Sequence, residues 1–353
     1  MLRRDNHIQA RLQSGERPVL IVVVDTEEEF SWERPFDRAN VDTTSIADQP
    51  IMHERVYDRL GIVPTYMCDW PVATAVSAVR TLRSLMEEGR CEIGTHLHPW
   101  VSPPHMEQVS VFNSYAGNLP RELEYEKLHR LTNAIADSFG RAPQAFKAGR
   151  YGLGPYTAES IASLGYAIDA SVVPYTSFTN DGGPDFRGYD EHPFWFQAAG
   201  RELLEVPVTT GYTGWLRAAG PQLYDLMQQP LARSVRANGI LARSRALERI
   251  RLSPETASGA EMRRLTATLF RGGCEVFSLT YHSPSMAVGH TPYVRSKAEL
   301  ERFIATVHDF CRWFRDELGG QFVSMTQLRN MITVARPALH EDLNVSALNQ
   351  MPG

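Results

Sequence analysis

The chain has 353 residues, of which 43% are hydrophobic and 22% are charged, and its formal net charge is -5. This composition is typical of a globular protein with a large core, so disordered and fibrous classes are excluded. The acidic balance offers no basic surface to nucleic acid, and we expect no nucleic-acid partner.

The first apolar run, 19–24, is too short to span a bilayer. No apolar signal segment follows the two N-terminal arginines, so we expect a cytoplasmic protein without a membrane span. The four cysteines are widely spaced and form no CxxC, which predicts reduced thiols rather than a zinc-thiolate site. The sequence leaves the oligomeric state open.

Short apolar strands alternate with amphipathic helices along the chain. The predicted strands are 19–25, 61–68, 91–96, 145–149, 166–171, 203–208, 275–282 and 321–325. The predicted helices are 73–89, 121–139, 156–164 and 297–318, each ending at or just before a glycine. This alternation predicts a parallel α/β fold, and about seven units of it predict a barrel with extra helices.

We expect one domain over 1–353, with its core at about 18–330. The stretch 215–270 is rich in Arg, Leu and Ala and predicts inserted helices without an obvious site. Residues 331–353 are predicted to be a C-terminal tail.

Polar residues follow several predicted strands, and the carboxyl ends of barrel strands form the active site. Asp25 and Glu27 share one strand face, as do His96 and His98, because side chains two residues apart point the same way. One carboxylate with two imidazoles is a common ligand set for catalytic zinc. A second carboxylate can then serve as general base toward a water.

Two further strand exits supply the remaining chemistry. His282 could donate a proton to a leaving group, and Arg150 could hold the base carboxylate ionised. Trp100, Tyr151 and Tyr281 lie beside these residues in sequence and are candidates for stacking on a sugar ring, although aromatic residues also pack cores.

Five motifs in this order resemble the polysaccharide deacetylase family, the NodB-type carbohydrate esterases. They are VDTEEEF, GTHLHPW, KAGRYG, DASVVP and LTYHSPS, spread over roughly residues 18–330. The likeness is strongest to the surface-polysaccharide-associated, WalW-like branch. The resemblance implies a distorted (β/α) barrel and hydrolysis of an acetyl group with a divalent metal ion, zinc being the first expectation.

The resemblance also implies roles for individual residues. It makes Asp25 the base, Arg150 the partner of that base and His282 the acid. It makes Glu27, His96 and His98 the metal ligands, and it places Asp169 in the wall of the substrate groove.

The chain departs from the family pattern at two points. The two histidines are closer than in the usual H-S/T-x-x-H motif, which makes His98 the less certain ligand. The second acid is Glu27 rather than an aspartate, and Glu28 and Glu29 compete with it for the metal.

The favoured prediction is a metal-dependent hydrolase that removes an acetyl group from an N-acetylated sugar, a polysaccharide precursor or a related small amide. One alternative is a ureide-type amidohydrolase acting on another non-peptide C–N bond. Another is a non-catalytic carbohydrate-binding barrel that has lost its metal.

Overall fold

A computed structural model describes residues 7–13, 15–227 and 244–334 of the chain. Its strands are β1 (Ile8–Leu12), β2 (Val19–Thr26), β3 (Thr65–Cys68), β4 (Glu92–Leu97), β5 (Ala145–Ala148), β6 (Ile168–Asp169), β7 (Phe194–Ala198), β8 (Arg201–Glu205), β9 (Thr210–Thr213), β10 (Glu248–Arg251), β11 (Val276–His282), β12 (Gln321–Phe322) and β13 (Ile332–Val334). Its α-helices are Gln49–Met52, Asp58–Leu60, Trp70–Thr74, Val76–Glu87, Arg121–Phe139, Thr157–Ser163, Gly220–Met227, Gly259–Arg271, Lys297–Asp316 and Met325–Met331.

The strands form an 11-stranded sheet with a parallel centre. Its order is β11-β2-β3-β4-β5-β6-β8-β7-β1-β13, and β12 pairs with β2 beside the start of β3. All pairs from β11 to β8 are parallel, whereas β7, β1 and β13 continue the sheet with antiparallel pairs. The predicted α/β class, a (β/α) barrel of about seven parallel strands, is therefore confirmed.

The two faces of the sheet are buried in different layers. Along β2, Val19, Ile21 and Val23 pack inside the barrel with residues from β5, β6 and β8. Leu20 and Val22 face the other way, into the layer beneath the surrounding helices. Burial on both faces explains why β2 is a continuous apolar run rather than an alternating one.

Strand register brings the polar strand ends together. His282 on β11 is level with Asp25 on β2, and His96 on β4 is level with Lys147 on β5. Because residues alternate between faces, Asp25 continues the inward row that Val23 occupies. The inward polar residues therefore meet at the carboxyl end of the barrel.

One predicted helix is confirmed with its bounds, and another is divided in two by a turn. The predicted helix 121–139 is confirmed, and it ends at Gly140 with a φ of 74°, a left-handed conformation that glycine adopts at little cost. The predicted helix 73–89 is instead two helices, because the chain is extended at Ala75.

Several parts of the chain were not predicted correctly or lie outside the described residues. The stretch 215–270 contains β10, which pairs with β9, as well as helices, and its residues 228–243 are not described. The predicted tail begins with β13, which pairs with the unpredicted β1, while 335–353 lie outside the described residues. All four cysteines are free and buried. Within the described ranges, no helix is both long and apolar enough to cross a membrane.

Candidate active site

Glu27, His96 and His98 form a buried group whose ligand atoms lie within 4.8 Å of one another. The Glu27 Oε2 atom is 3.6 Å from His96 Nε2 and 3.5 Å from His98 Nε2. Glu27 Oε1 is buried and has no hydrogen-bond partner among the described residues. These three side chains therefore fit a divalent ion with nitrogen and oxygen ligands, and the short spacing of the two histidines still brings both to one point.

Both imidazoles have the tautomer that metal binding requires. His96 Nδ1 lies 3.0 Å from the carbonyl oxygen of Lys147, and His98 Nδ1 lies 2.7 Å from Glu28 Oε2. Each Nδ1–H donates to its acceptor, so each Nε2 keeps a free lone pair toward Glu27. Burial lowers the pKa of both rings, to about 4 for His98, so both are neutral at neutral pH.

Glu28 contacts the Nδ1 side of the His98 ring, whereas Glu27 faces the Nε2 side. Its Oε2 accepts from His98 and its Oε1 accepts from Trp100 Nε1 at 2.7 Å. Asp69, His98 and Glu28 form a second group of possible metal ligands, but the Asp69 carboxylate already accepts two backbone N–H groups. These two carboxylates already have partners, whereas Glu27 has an oxygen without one.

Glu29, the other rival ligand, points away from this group. Its carboxylate accepts from the Thr44 hydroxyl and the Ser45 backbone N–H, and it lies 3.1 Å from His290 Nδ1. Of the three consecutive glutamates, Glu27 is the one directed at both histidines.

The Asp25 carboxylate is paired with Lys147. The Lys147 Nζ atom lies 2.6 and 2.7 Å from the two carboxylate oxygens and 3.0 Å from the Thr280 hydroxyl. Burial alone would raise the pKa of Asp25, but Lys147, followed by His96 and His282, lowers it below the ordinary value. Asp25 is therefore ionised at neutral pH, which is the form a general base requires.

Arg150, the predicted partner of Asp25, does not occupy that position. It donates to the Ser114 hydroxyl, lies 3.5 Å from Asp181 and stacks between the rings of Phe36 and Tyr115. The reason is position along the chain: Lys147 is inside β5 and points inward, whereas Arg150 lies beyond the strand end.

His282 faces Asp25 from β11 and is held by a residue that the sequence did not indicate. Its Nε2 is 3.9 Å from Asp25 Oδ2, and its Nδ1 is 2.8 Å from Glu255 Oε2. Glu255 also accepts the His282 backbone N–H and the Ser285 hydroxyl. Burial lowers the pKa of His282, but Glu255 and then Glu27 raise it to well above its usual value.

Asp169 does not line the groove, contrary to the expectation from the DASVVP motif. It is level with Phe146 and Glu205, on the sheet face that packs beneath the helices. Its Oδ1 accepts from the backbone and hydroxyl of Ser171, and burial raises its pKa to about 6. Asp169 belongs to a buried acid pair with Glu205, outside the active site.

Tyr281 was also expected in the substrate-binding wall, but it does not line the cavity. It is fully buried, and its hydroxyl lies 2.7 Å from that of Tyr57 in the helix-facing layer. Tyr281 and His282 are adjacent on one strand, so only one of them can face inward.

The turn after β5 depends on Gly149. A Cβ atom at this position would overlap the Leu97 carbonyl oxygen and His98 Cδ2. The next two residues, Arg150 and Tyr151, have φ values of 52° and 59°, a region that non-glycine residues rarely occupy. Backbone strain of this kind is common at functional sites, and here it directs both side chains toward the cavity.

A cavity of about 330 Å³ opens above these residues, a volume that suits a small molecule. Asp25, Glu27, His96, His98 and His282 form its polar floor. Its aromatic wall consists of Phe30, Trp32, Phe36, Trp100, Tyr115, Tyr151, Phe178 and Tyr293.

The two aromatic residues that the sequence places in this wall differ in exposure. Tyr151 is half-buried and lines the cavity, so its predicted role in substrate binding stays a prediction. Trp100 is only 2% exposed, stacks on the His98 ring at 4.2 Å and donates to Glu28, so its contacts hold His98 in place, and its role in substrate binding stays a prediction.

Three further residues of the site, Lys147, Glu255 and Arg251, were not predicted from the motifs. Lys147 was detectable, because it occupies the inward row of β5 at the register of His96. Arg251 is the last residue of β10, and Glu255 lies four residues further along the chain. Both are inside the stretch 215–270 that was predicted to be helical, and no local sequence pattern identifies them as site residues.

Comparisons with known proteins agree with this architecture. No family model matches the chain, and no curated protein matches it. A solved structure assigned as a polysaccharide deacetylase from Mycobacterium smegmatis has a TM-score of 0.55 at 17% identity, covering 96% of this chain and 100% of that one. The Puue allantoinase has a TM-score of 0.51 at 14% identity, covering 90% of this chain and 91% of that one. Likeness at this level of identity establishes a shared fold.

Proposed function

We propose that the protein is a metal-dependent deacetylase acting on an N-acetylated sugar or polysaccharide precursor. The observation that carries this proposal is the convergence of His96 and His98 Nε2 on Glu27 Oε2, beside the Asp25–His282 pair in the same cavity. The fold likeness to a protein assigned as a polysaccharide deacetylase supports it.

Glu27, His96 and His98 would hold the ion, and zinc is the first expectation for this donor set. When bound, a divalent ion supplies polarisation of the acetyl carbonyl and a lower pKa for the attacking water.

The protein's own groups would carry the proton transfers. Asp25, kept ionised by Lys147, accepts a proton from the attacking water. His282 Nε2 donates a proton to the amide nitrogen as the C–N bond breaks, while Glu255 holds Nδ1. The products are acetate and the free amine of the sugar.

An intact set of ligands, base and acid favours catalysis over the non-catalytic alternative. The same set could hydrolyse a ureide, and the fold likeness to an allantoinase keeps that reaction as the second candidate. The two are separated by their products, which are acetate in one case and a ring-opened ureide or ammonia in the other.

The test is to load the purified protein with Zn²⁺ or Co²⁺ and to measure acetate release from N-acetylglucosamine and its oligomers. Parallel reactions with allantoin test the second candidate. Asp25→Asn and His282→Gln serve as controls for contaminating activity. Metal-loaded protein that releases no acetate from any N-acetylated sugar would contradict the proposal, and binding of these sugars without hydrolysis would support the non-catalytic alternative.

The surface-polysaccharide-associated branch and the cytoplasmic location remain part of this proposal. Fractionation of the native protein tests the location, and its recovery outside the cytoplasm would contradict it.

A further inference from the structure

Three arginines line the same cavity as the candidate catalytic residues: Arg34, Arg150 and Arg251. The acids on the cavity floor do not neutralise them. Asp25 is paired with Lys147, and Glu27 faces the two histidines. The wall of the cavity is therefore cationic where a neutral sugar would need only hydroxyl and aromatic partners.

Arg251 is the arginine with the clearest spare binding capacity. The one hydrogen bond that its guanidinium makes in the described part of the chain goes from Nη1 to the Tyr151 hydroxyl, at 3.2 Å. No carboxylate of the described residues forms an ion pair with it, and nearby Glu255 already accepts from His282 and Ser285. A guanidinium of this kind retains donors for a further acceptor.

Arg150 differs, because it is already fixed in place. The rings of Phe36 and Tyr115 enclose it at 5.1 and 4.2 Å, and its carboxylate partner Asp181 is 56% exposed at 3.5 Å. An exposed ion pair of this length contributes little, so Arg150 adds positive potential to the cavity.

Tyr151 contacts both Arg251 and Lys147, the residue that binds the Asp25 carboxylate. The Arg251 Cζ atom lies 5.2 Å from the centre of the Tyr151 ring, and Lys147 Nζ, which binds the Asp25 carboxylate, lies 5.3 Å from the same centre. Arg251 and Asp25 also line the same cavity, so a group bound at Arg251 shares that cavity with the base.

We propose that the acylated sugar carries an anionic group, a carboxylate or a phosphate, that Arg251 binds through its guanidinium fork. This inference rests on the proposed deacetylase function and narrows its substrate class. A planar guanidinium binds both kinds of anion in bidentate geometry, whereas an ammonium acts as a point charge.

The experiment compares four N-acetylated sugars with the metal-loaded protein: N-acetylglucosamine, its 1-phosphate, its 6-phosphate and N-acetylmuramate. The measured quantity is the ratio of kcat/KM for each anionic sugar to that for the neutral sugar. We expect a ratio above about ten for at least one anionic sugar, since a hydrogen bond to a charged group is worth about that much or more. The two phosphates and the muramate distinguish a phosphate from a carboxylate.

Arg251→Gln should lower this ratio by about tenfold or more, and Arg251→Lys should recover only part of it. Arg302→Gln, which changes an arginine whose side chain is 73% exposed on the helix Lys297–Asp316, is the matched control and should keep the ratio. Equal turnover of neutral and anionic sugars, or a ratio unaffected by Arg251→Gln, would overturn the inference and leave the deacetylase function standing.

Binding of the same sugars, measured by calorimetry, distinguishes failure of the deacetylase proposal from failure of the anion site. Anionic sugars that bind through Arg251 without being hydrolysed would support the anion site and contradict the deacetylase function. Absence of both binding and hydrolysis would overturn both proposals.

Discussion

Lys147 Nζ lies 2.6 Å from Asp25 Oδ1, and both side chains are at most 3% exposed. This pair joins the middle of β5 to the end of β2 across the inside of the barrel. Removing one partner of a buried ion pair leaves the other charge without compensation, which costs about 3–5 kcal/mol.

The pair predicts a specific result in a double-mutant cycle. Lys147→Met should lower the free energy of unfolding by about 3–5 kcal/mol, and adding Asp25→Asn should restore much of it, because the uncompensated charge is then gone. Chemical denaturation of the metal-free variants measures both effects. Arg150→Gln is the control, and its coupling to Asp25→Asn should be near zero; a large coupling there would return Arg150 to the role that the sequence suggested.

If Glu27, His96 and His98 are the metal ligands, variants at these and neighbouring positions should differ in metal content in a specific pattern. Glu27→Gln, His96→Ala and His98→Ala should each abolish tight binding of Zn²⁺, measured by elemental analysis after dialysis. Glu29→Gln should retain the metal, since Glu29 contacts Ser45 and His290 instead. Glu28→Gln should weaken Zn²⁺ binding by about 10–100-fold, because Glu28 accepts a hydrogen bond from His98 Nδ1 and so orients the ring. Full metal content in His98→Ala would show that the tight histidine spacing supplies only one ligand.

A substitution at Gly149, which has no side chain to bind a metal, should still lower metal affinity. In Gly149→Ala the new methyl group would overlap His98 Cδ2 and the Leu97 carbonyl oxygen, so the ring must move. We expect reduced metal affinity in this variant, measured by competition with a chelator. Gly140→Ala is the comparison, because a Cβ there meets no atom within 4 Å; its expected effect is a loss of stability from the positive φ, with metal affinity unchanged.

Glu255 predicts a shift in the pH dependence of activity. His282 must be protonated to act as an acid, so activity is lost as pH rises through its pKa. Burial lowers the pKa of His282, but the charges of Glu255 and Glu27 together raise it by more, so the pKa lies well above its usual value. Glu255→Gln should therefore move the alkaline limb of the kcat profile to lower pH and reduce kcat by about 10–100-fold, with metal content unchanged. An unmoved limb would show that a group other than His282 is the acid.

The buried acids Asp169 and Glu205 predict a pH-dependent stability. Burial raises the pKa of Asp169 to about 6 and that of Glu205 well above its usual value. The folded state then binds more protons than the unfolded state above about pH 4, so the free energy of unfolding falls as pH rises. Glu205→Gln should remove up to about 1.4 kcal/mol per pH unit of this dependence at pH values above about 4.3, the ordinary pKa of a glutamate. Equal slopes in variant and parent would contradict the assignment, and Asp169→Asn should leave KM unchanged.

The sequence alone determined the fold class and the positions of the candidate metal ligands, with Glu27, Glu28 and Glu29 left as alternatives. Continuous apolar runs such as β2, with helices between them, identify parallel strands buried on both faces, and a two-residue spacing puts Glu27 on the face of Asp25. These are local properties, because the period of a strand is fixed by the backbone. Residue type and spacing therefore predicted a group of one carboxylate and two histidines, but only the structure shows that Glu27, rather than Glu28 or Glu29, faces His96 and His98.

Only the tertiary structure decided which residues complete the site. Whether Lys147 or Arg150 reaches Asp25 depends on where β5 ends, and the inward position of His282 excludes Tyr281 next to it. Arg251 lines the cavity and Glu255 contacts His282 because β10 pairs with β9, a contact made across a long intervening segment. Such contacts depend on strand register and on pairing between distant segments, which the spacing of residues in one stretch of chain does not encode.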